Sequence, residues 1–149
     1  MNTVKDILDG KGREVWSIGP LQSVYEAVEM MIEKQVGALT VLDDRSQLVG
    51  IISERDCARK LLLRDALARE TDVAEIMTKE VIVVNEGTTV DSCLAQMARR
   101  RIRHLPVMDG DTLIGIVAAV DAFRFIIRDQ LSTIEELEAY VKDETGGSG

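Results

Sequence analysis

The sequence predicts an α+β protein made of two β-α-β-β-α repeats that pack as a pseudo-twofold pair, with an additional C-terminal helix. The first observation behind this prediction is an internal repeat of about 60 residues, which fills most of the chain. The second is that each copy alternates short β-rich runs with amphipathic helical patterns. The third is size, because a unit of about 60 residues buries too little surface to be stable alone. The two copies are therefore expected to bury their apolar faces against each other.

The two copies align along almost their whole length. Val4 matches Val73, Val41 matches Val107 and Gly50 matches Gly115, and the length differences fall in loops. We expect a first repeat over residues 1–63, an exposed polar linker over 64–72, a second repeat over 73–128, a C-terminal helix over 129–144 and a flexible tail over 145–149.

Each copy opens with a short helical pattern, "VKDIL" or "VAEIM", followed by a β-rich segment, "VWSI" or "VIVV". An amphipathic helix comes next. In the first copy it begins at the capping signal Ser23-x-x-Glu26, and in the second at Thr88-x-x-Asp91. Apolar residues of the first such helix recur at helical spacing and form one face: Val24, Ala27, Val28, Met31 and Ile32.

A pair of strands follows in each copy, "ALTVLD" with "LVGIIS" and "HLPVMD" with "LIGIVA", joined by polar turn residues typical of hairpins. A second helix then begins at the Ser-x-x-Asp of "GIISERD", which recurs as "GIVAAVD" in the second copy. After the second copy, "STIEELEAYV" contains a further capping signal, Ser132-x-x-Glu135. It predicts an extra helix that packs either on the module or on a second chain.

The composition excludes several classes of function. The net charge of −8 disfavours nucleic acid and anionic membrane surfaces, and no apolar run approaches the roughly 18 residues of a membrane helix. The start of the chain lacks the pattern of a secretory signal, and Cys57 and Cys93 lack the spacing of a zinc site, so we expect a cytoplasmic protein without a metal. No phosphate-loop, dinucleotide-binding or catalytic motif is found, which predicts a protein that is not an enzyme.

The order of these elements, the doubled "GIISERD" and "GIVAAVD", and the phrase "RHLPVMD" resemble the cystathionine β-synthase (CBS) domain family, whose domains occur as tandem pairs called Bateman modules. The resemblance covers about residues 3–128. It implies a regulatory module whose clefts bind an adenosine-containing ligand such as AMP, ADP, ATP, NAD(H) or S-adenosylmethionine. It also implies that the modules stack as dimers.

The resemblance assigns the ribose hydroxyls of such a ligand to Asp56 in one cleft and to Asp121 in the other, with Ser53 assisting Asp56. Ala118 stands where the second cleft should have the hydroxyl, so we expect the two clefts to bind unequally. Simple helix capping is the alternative interpretation of Ser53 and Asp56, and the two are compatible.

The resemblance further assigns nucleotide phosphates to Arg103 and His104, at the entry to the middle strand of the second copy. The matching positions in the first copy are Gly37 and Ala38, which offer no charge. Arg55 is a candidate for a phosphate contact or a solvent-exposed residue. By resemblance Thr78 lines the base. The Asp121 cleft is therefore the better candidate for a phosphate-bearing ligand.

Taken together, the residues and the resemblance predict a non-enzymatic sensor that binds AMP or NAD(H) as a signal and not as a catalytic cofactor. Such a sensor is expected to form a homodimer and to act on an effector protein in trans. The alternative from another class is a structural dimerisation or interaction module that binds no ligand.

Overall fold

The structure, a computed structural model, describes residues 2–63 and 66–146, with side chains described up to Lys142. The first repeat contributes α1 (Val4–Lys11), β1 (Ser17–Ile18), α2 (Val24–Lys34), β2 (Ala38–Leu42), β3 (Leu48–Ser53) and α3 (Glu54–Asp56), which continues as a π-helical turn over Cys57–Leu61. The second contributes α4 (Val73–Ile76), α5 (Val90–Arg100), β4 (His104–Asp109), β5 (Thr112–Ala118) and α6 (Ala119–Gly146).

Each repeat is built on a small sheet. In the first repeat β1 pairs parallel to β2, and β2 pairs antiparallel to β3 with an irregularity between Val41 and Leu42. In the second repeat β4 pairs antiparallel to β5 with an irregularity between Val107 and Met108. Because Val41 and Val107 are equivalent positions, the two repeats share the same irregularity in strand pairing.

The predicted strand "VIVV" is wrong as a regular strand. Among the described residues, only Val84 pairs in this segment, through a parallel bridge to Val107. The Val84 N–H donates to the Pro106 carbonyl at 3.0 Å, and the Val84 carbonyl accepts from the Met108 N–H at 2.8 Å. The earlier part of the segment is held in a turn, since the Val81 N–H donates to the Lys79 carbonyl at 3.1 Å.

The two repeats exchange their leading helices. In α1, Val4, Ile7 and Leu8 are buried in the core formed by α5, β4 and β5 of the second repeat. In α4, Val73 and Ile76 are buried in the core formed by α2, β2 and β3 of the first repeat. The boundaries that the repeat predicts in sequence therefore do not coincide with the packing units, because each core is completed by a helix from the other copy.

Glycine makes this exchange possible at one position in each repeat. A Cβ added to Gly115 would lie 2.9 Å from Cδ1 of Leu8, and one added to Gly50 would lie 2.5 Å from Sδ of Met77. Both distances are shorter than side chains tolerate. The glycine of each "GI" phrase thus leaves room for a side chain of the other repeat's leading segment, Leu8 of α1 or Met77 directly after α4.

Three further expectations need correction. The capping signal at Ser132 does not begin a helix, because α6 runs without a break from Ala119 to Gly146. In the predicted linker, Arg64 and Asp65 lie outside the described residues, whereas Thr71 is buried and its Oγ1 donates to the Leu67 carbonyl at 2.8 Å. Ile32, assigned to the apolar face of α2, is 72% exposed. Of the predicted tail, residues 147–149 are outside the described part.

In the part of the chain that the structure describes, no helix combines the length and apolar character needed to cross a membrane.

Candidate functional site

The first candidate site surrounds Asp56, where β3 meets α3, and is named here the Asp56 site. Ser53 is the N-cap residue: its Oγ accepts a hydrogen bond from the Asp56 N–H at 3.1 Å. The Asp56 carboxylate returns the interaction, because Oδ2 accepts from the Ser53 N–H at 3.0 Å. The Ser53 hydroxyl also donates to the same oxygen at 3.0 Å. This reciprocal arrangement is a complete capping box.

The other carboxylate oxygen of Asp56 has two further partners. Thr78 Oγ1 donates to Asp56 Oδ1 at 3.3 Å. Lys60, one helical turn after Asp56, places Nζ 3.2 Å from the same oxygen and donates to the Ile76 carbonyl at 2.9 Å. Thr78 reaches this position because its backbone pairs with Ile51 of β3, with N–H to carbonyl distances of 2.8 and 3.0 Å. The structure therefore brings Ser53 and Asp56 together, as the motif predicts, and adds Thr78, which the sequence did not place in either cleft.

The second candidate site surrounds Asp121 in the first turn of α6 and is named the Asp121 site. Asp121 Oδ2 accepts from the Ala118 N–H at 2.9 Å, the equivalent of the bond from Ser53 to Asp56. Ala118 has no hydroxyl to complete the capping box. The two carboxylates are similarly buried, with side chains 14% exposed at Asp121 and 15% exposed at Asp56.

Lys11 is the residue that sequence reasoning missed at the Asp121 site. Its Nζ lies 2.6 Å from Asp121 Oδ2, and its side chain is 28% exposed. The segment "DGKG" that contains it has no recognisable binding motif, and Lys11 itself is the last residue of α1. No local signal identifies it, because the contact depends on α1 being buried in the core of the second repeat. Lys60 was missed too, although its spacing of four residues from Asp56 is typical of helical ion pairs.

Arg103 and His104 lie beside Asp121 through strand pairing. His104 is paired with Ala118 in the β4–β5 ladder, and the Arg103 carbonyl accepts from the Ala119 N–H at 2.8 Å. The Arg103 side chain is exposed. Lys11 thus contacts the Asp121 carboxylate directly, and Arg103 and His104 lie at the start of the strand that pairs beside it, in a chain whose net charge is −8.

The His104 ring lies against the first repeat. A Cβ added to Gly37 would be 3.5 Å from both Cε1 and Nε2 of the ring. Burial lowers the pKa of His104 below its ordinary value of 6.5, and the nearby charges of Lys11 and Arg103 lower it further against the opposing effect of Asp121. His104 is therefore mainly neutral at pH 7, so it can offer a hydrogen bond, whereas the positive charge of the site comes from Lys11 and Arg103.

The two remaining predicted residues, Ala38 and Arg55, belong to the first repeat. Ala38, the counterpart of His104, is buried and paired with Ser53 in the β2–β3 ladder. Arg55 reaches across the repeats, where its Nη1 donates to the Arg101 carbonyl at 3.1 Å. Since Arg101 is the C-cap of α5, this bond ties the start of α3 to the end of α5. The structure thus shows a bridging contact for Arg55, and its phosphate contact stays a prediction.

The surface also has cavities away from the two candidate sites. Two surface cavities of about 280 and 420 Å³ lie elsewhere in the described part of the chain. The larger is lined by residues at the ends of the two hairpins, including Arg45 and Asp111. The candidate sites are defined by their polar geometry, and at the Asp121 site Lys11 is paired with one carboxylate oxygen, Oδ2.

Two interlocked β-α-β-β-α units with a carboxylate at the start of the last helix of each define a tandem regulatory module. A family model for the CBS domain matches residues 4–63 and 73–128. The chain belongs to the CBS domain family, and it is a CBS domain pair.

Similar proteins agree with this assignment. The mitochondrial CBS domain-containing protein CBSX3 of Arabidopsis thaliana is 34% identical over 149 residues, covering 94% of this chain and 72% of the relative. A solved protein with CBS domains from Burkholderia ambifaria MC40-6 is 41% identical with a TM-score of 0.83, covering 87% of this chain and 96% of that one. The CBS domain pair of protein MJ0100, solved with 5′-methylthioadenosine and S-adenosyl-L-methionine, is 30% identical with a TM-score of 0.77, covering 87% and 98%.

Proposed function

We propose that this chain is a sensor that binds an adenosine-containing ligand at the Asp121 site and passes the bound state to an effector protein in the cytoplasm. The observation that carries the proposal is the Asp121 carboxylate, which is held by the Ala118 N–H and faces Lys11 from another segment of the chain. Support for the ligand class comes from the CBS domain pair of MJ0100, which binds 5′-methylthioadenosine and S-adenosyl-L-methionine.

The first step of binding is an exchange of partners at Asp121. A carboxylate can accept hydrogen bonds from two neighbouring ribose hydroxyls, and these replace Lys11 Nζ at 2.6 Å. Lys11 is then available for a negative group of the ligand. Because Lys11 ends α1, which is buried in the second core, ligand binding changes a contact between the N-terminal segment and α6. This is the change that an effector can recognise.

Charge favours a phosphate-bearing ligand such as AMP or NAD(H) at this site. Lys11 and Arg103 supply two cations, and His104 adds a hydrogen-bonding ring. Phosphate oxygens pair well with such groups, whereas the sulfonium of S-adenosylmethionine is itself a cation. The Asp56 site has Lys60 as its nearest cation and a complete capping box, so it is the weaker candidate for phosphate.

A thermal-shift screen with AMP, ADP, ATP, NAD(H) and S-adenosylmethionine tests the proposal. A ligand at about 100 times its Kd stabilises the folded state by roughly 2.7 kcal/mol, which corresponds to a rise in Tm of roughly 5 to 11 °C for a chain of this size. An unchanged Tm with every ligand would exclude the sensor function.

Matched variants then locate the site. Asp121→Ala and Asp56→Ala each remove an equivalent carboxylate and an equivalent backbone capping bond, so a general loss of stability affects both. We expect Asp121→Ala alone to abolish the response to AMP. Lys11→Ala is expected to weaken AMP binding by about 10-fold or more, the value of one charge-assisted hydrogen bond, with Lys60→Ala as its control. Equal effects of each pair would reject the assignment to Asp121.

A structural module that binds no ligand is the second candidate. The observation in its favour is that Asp56 and Asp121 both already have partners within the chain, namely Lys60, Thr78 and Lys11. The same screen separates the two functions, because only the sensor shows a ligand-dependent Tm.

A further inference from the structure

Positive charge is concentrated at the C-terminal end of α5. Arg99 and Arg100 lie in the last turn of this helix, Arg101 is its C-cap, and Arg103 follows two residues later. All four residues are exposed. The chain as a whole has a net charge of −8, so the charge at this end of the helix is opposite in sign to that of the whole protein.

A fifth arginine reaches the same place from the other repeat. Arg55 of α3 is exposed, and its Nη1 donates to the Arg101 carbonyl at 3.1 Å. We name this group the arginine surface; its members are Arg55, Arg99, Arg100, Arg101 and Arg103. Because one member belongs to the first repeat and four belong to the second, the arginine surface spans the boundary between the repeats.

The arginine surface has no carboxylate partner among the described residues. The ion pairs in that part of the chain join other side chains, such as Lys5 with Asp9 and Lys60 with Asp56, and none of them includes a member of the surface. Like charges held close together repel one another, which costs stability. A surface that carries this cost without an internal partner is suited to an external anion.

The helix dipole does not account for so many cations. The C-terminus of a helix carries about half a negative charge, which a single cation offsets. In the equivalent helix α2 the last positions are Glu33, Lys34 and Gln35, whose charges cancel. Gln35 and Arg101 are the two C-caps and share a left-handed backbone, with φ of 55° and 56°. The two helix ends therefore have the same local backbone, and only the end of α5 is strongly basic.

The shape and charge of the chain favour a short acidic protein segment over a nucleic acid. Guanidinium groups bind carboxylates through pairs of parallel hydrogen bonds. The five arginines are already counted in the net charge of −8, so the rest of the chain is still more negative. A long polyanion would extend from the arginine surface onto those negative regions. No member of the surface is aromatic, so bases have no ring there on which to stack.

We propose that the arginine surface binds an acidic segment, rich in Asp and Glu, of a partner protein. Carboxylates of the segment pair with Arg99, Arg100 and Arg101, and Arg55 extends the contact to the first repeat. Arg55 and Arg103 are the chain neighbours of Asp56 and His104, so the bound segment lies beside both candidate sites. The identification of this partner with the effector rests on the proposed function, whereas binding of the acidic segment does not require the adenosine-containing ligand.

Fluorescence anisotropy of a labelled peptide of ten glutamates, measured with the full chain at low salt, tests the surface. The swap variant gives the end of α5 the residues found at the end of α2: Arg99→Glu, Arg100→Lys and Arg101→Gln. Its loss of exposed charge pairs is expected to weaken peptide binding by about 10-fold or more. A control variant removes the same amount of positive charge from exposed positions elsewhere: Arg45→Gln, Arg124→Gln and Arg128→Gln. Because distant charges are screened, it is expected to weaken binding by less than about 2-fold. No binding by the wild type, or equal weakening by the two variants, would overturn the proposal.

The Tm separates a binding role of these arginines from a structural one. The swap variant should keep or raise the Tm, because it removes like-charge repulsion and introduces residues that the same backbone already holds at α2. Arg99→Gln alone, a milder change on the exposed side of α5, is expected to weaken peptide binding roughly 3-fold at an unchanged Tm. A lower Tm with unchanged peptide affinity in both variants would assign the arginines to helix stability and reject the proposal.

A single strand of twenty thymidine nucleotides tests the class of partner. It is expected to bind more weakly than the glutamate peptide, since it extends beyond the arginine surface onto negative regions of the chain. Tighter binding of the oligonucleotide than of the peptide would reject an acidic protein segment in favour of a nucleic acid.

A titration of the peptide in the presence of AMP tests the link to the effector. Arg103 is shared by the arginine surface and the phosphate contact predicted at the Asp121 site, so bound AMP reduces the charge available to the peptide. We expect saturating AMP to weaken peptide binding roughly 3-fold in the wild type, the value of one exposed charge pair, and to have no effect in Asp121→Ala. Peptide binding that persists while AMP leaves the Tm unmoved would reject the sensor function and support the arginine surface. An AMP-dependent Tm with unchanged peptide affinity would reject the link between them.

Discussion

The Asp56 and Asp121 sites hold the same carboxylate at the same place in the repeat, but the partners of that carboxylate differ in kind. Asp56 is surrounded by the hydroxyls of Ser53 and Thr78, with Lys60 from its own helix. Asp121 has no hydroxyl partner in the described part of the chain, and its cation, Lys11, comes from a segment 110 residues away. The backbone of the two sites is preserved while the donors have diverged.

The exchanged helices explain how such divergence arises. Each leading segment is buried in the core of the other repeat, and the residues that follow it reach the carboxylate there, as Lys11 does at Asp121 and Thr78 does at Asp56. A substitution in the leading segment of one copy therefore alters the ligand site of the other copy. The comparison teaches that the two sites can be changed one at a time without changing the fold.

Leu8 and Met77 offer the largest test of this exchange. Both residues pack against the equivalent glycine of the other repeat, but Leu8 is fully buried and Met77 only partly. We expect Leu8→Ala to lower the free energy of unfolding by about 2 to 5 kcal/mol and Met77→Ala to cost less, as measured by urea denaturation.

Amide hydrogen exchange serves as the control, because it shows which repeat Leu8→Ala destabilises. Leu8→Ala should increase exchange first in β5, beside Gly115, although residue 8 belongs to the first copy in sequence. Increased exchange in β3 alone, with β5 protected, would show that α1 serves its own repeat and would contradict the exchange of helices.

The regular parts of this fold could be predicted from the sequence because they follow local rules. The hairpin strands and the helix that begins after Ser23 are confirmed in place. Periodicity and capping residues predict such elements because both depend on residues only a few positions apart in the chain. The capping contact between Ser53 and Asp56 follows from the same local rules, whereas the sequence did not place Thr78 beside them, and the role of these residues in binding a ligand stays a prediction.

Features that depend on which of the two repeats a segment packs against could not be predicted from such local rules. The apolar face of "VKDIL" indicates that α1 is buried but not in which of two similar cores, and the contact of Lys11 with Asp121 follows from that choice. The signal Ser132-x-x-Glu135 is also compatible with a helix interior, where Ser132 simply faces solvent, and α6 continues through it. Local sequence does not distinguish these cases because the deciding contacts are distant in the chain.

Removing the capping hydroxyl at residue 53 and adding one at residue 118 is expected to change the free energy of unfolding by a smaller amount. Ser53→Ala removes the acceptor for the Asp56 N–H and is expected to cost about 0.5 to 2 kcal/mol. Ala118→Ser supplies the missing acceptor at α6 and is expected to stabilise the protein by an amount at the lower end of that range. Thermal unfolding of both variants and of the double variant measures these changes. A loss of stability in Ala118→Ser would mean that the site has no room for the hydroxyl.

The smallest effect concerns pH and arises only at the Asp121 site, because the first repeat has Ala38 where the second has His104. Burial lowers the pKa of His104 in the folded state below 6.5, whereas the unfolded chain keeps the ordinary value. Between these two values the unfolded state binds more protons, so the stability due to His104 is fully present above pH 6.5 and is lost as the pH falls through the folded-state pKa.

We therefore expect the free energy of unfolding of the wild type to fall more steeply between pH 7.5 and pH 5 than that of His104→Gln, with the carboxylates shared by the two proteins contributing equally to both. Parallel pH profiles would show that His104 is not desolvated at the contact with Gly37. A bound phosphate would oppose the effect, since a nearby anion stabilises the protonated ring, so the difference between the two proteins should shrink when AMP is present.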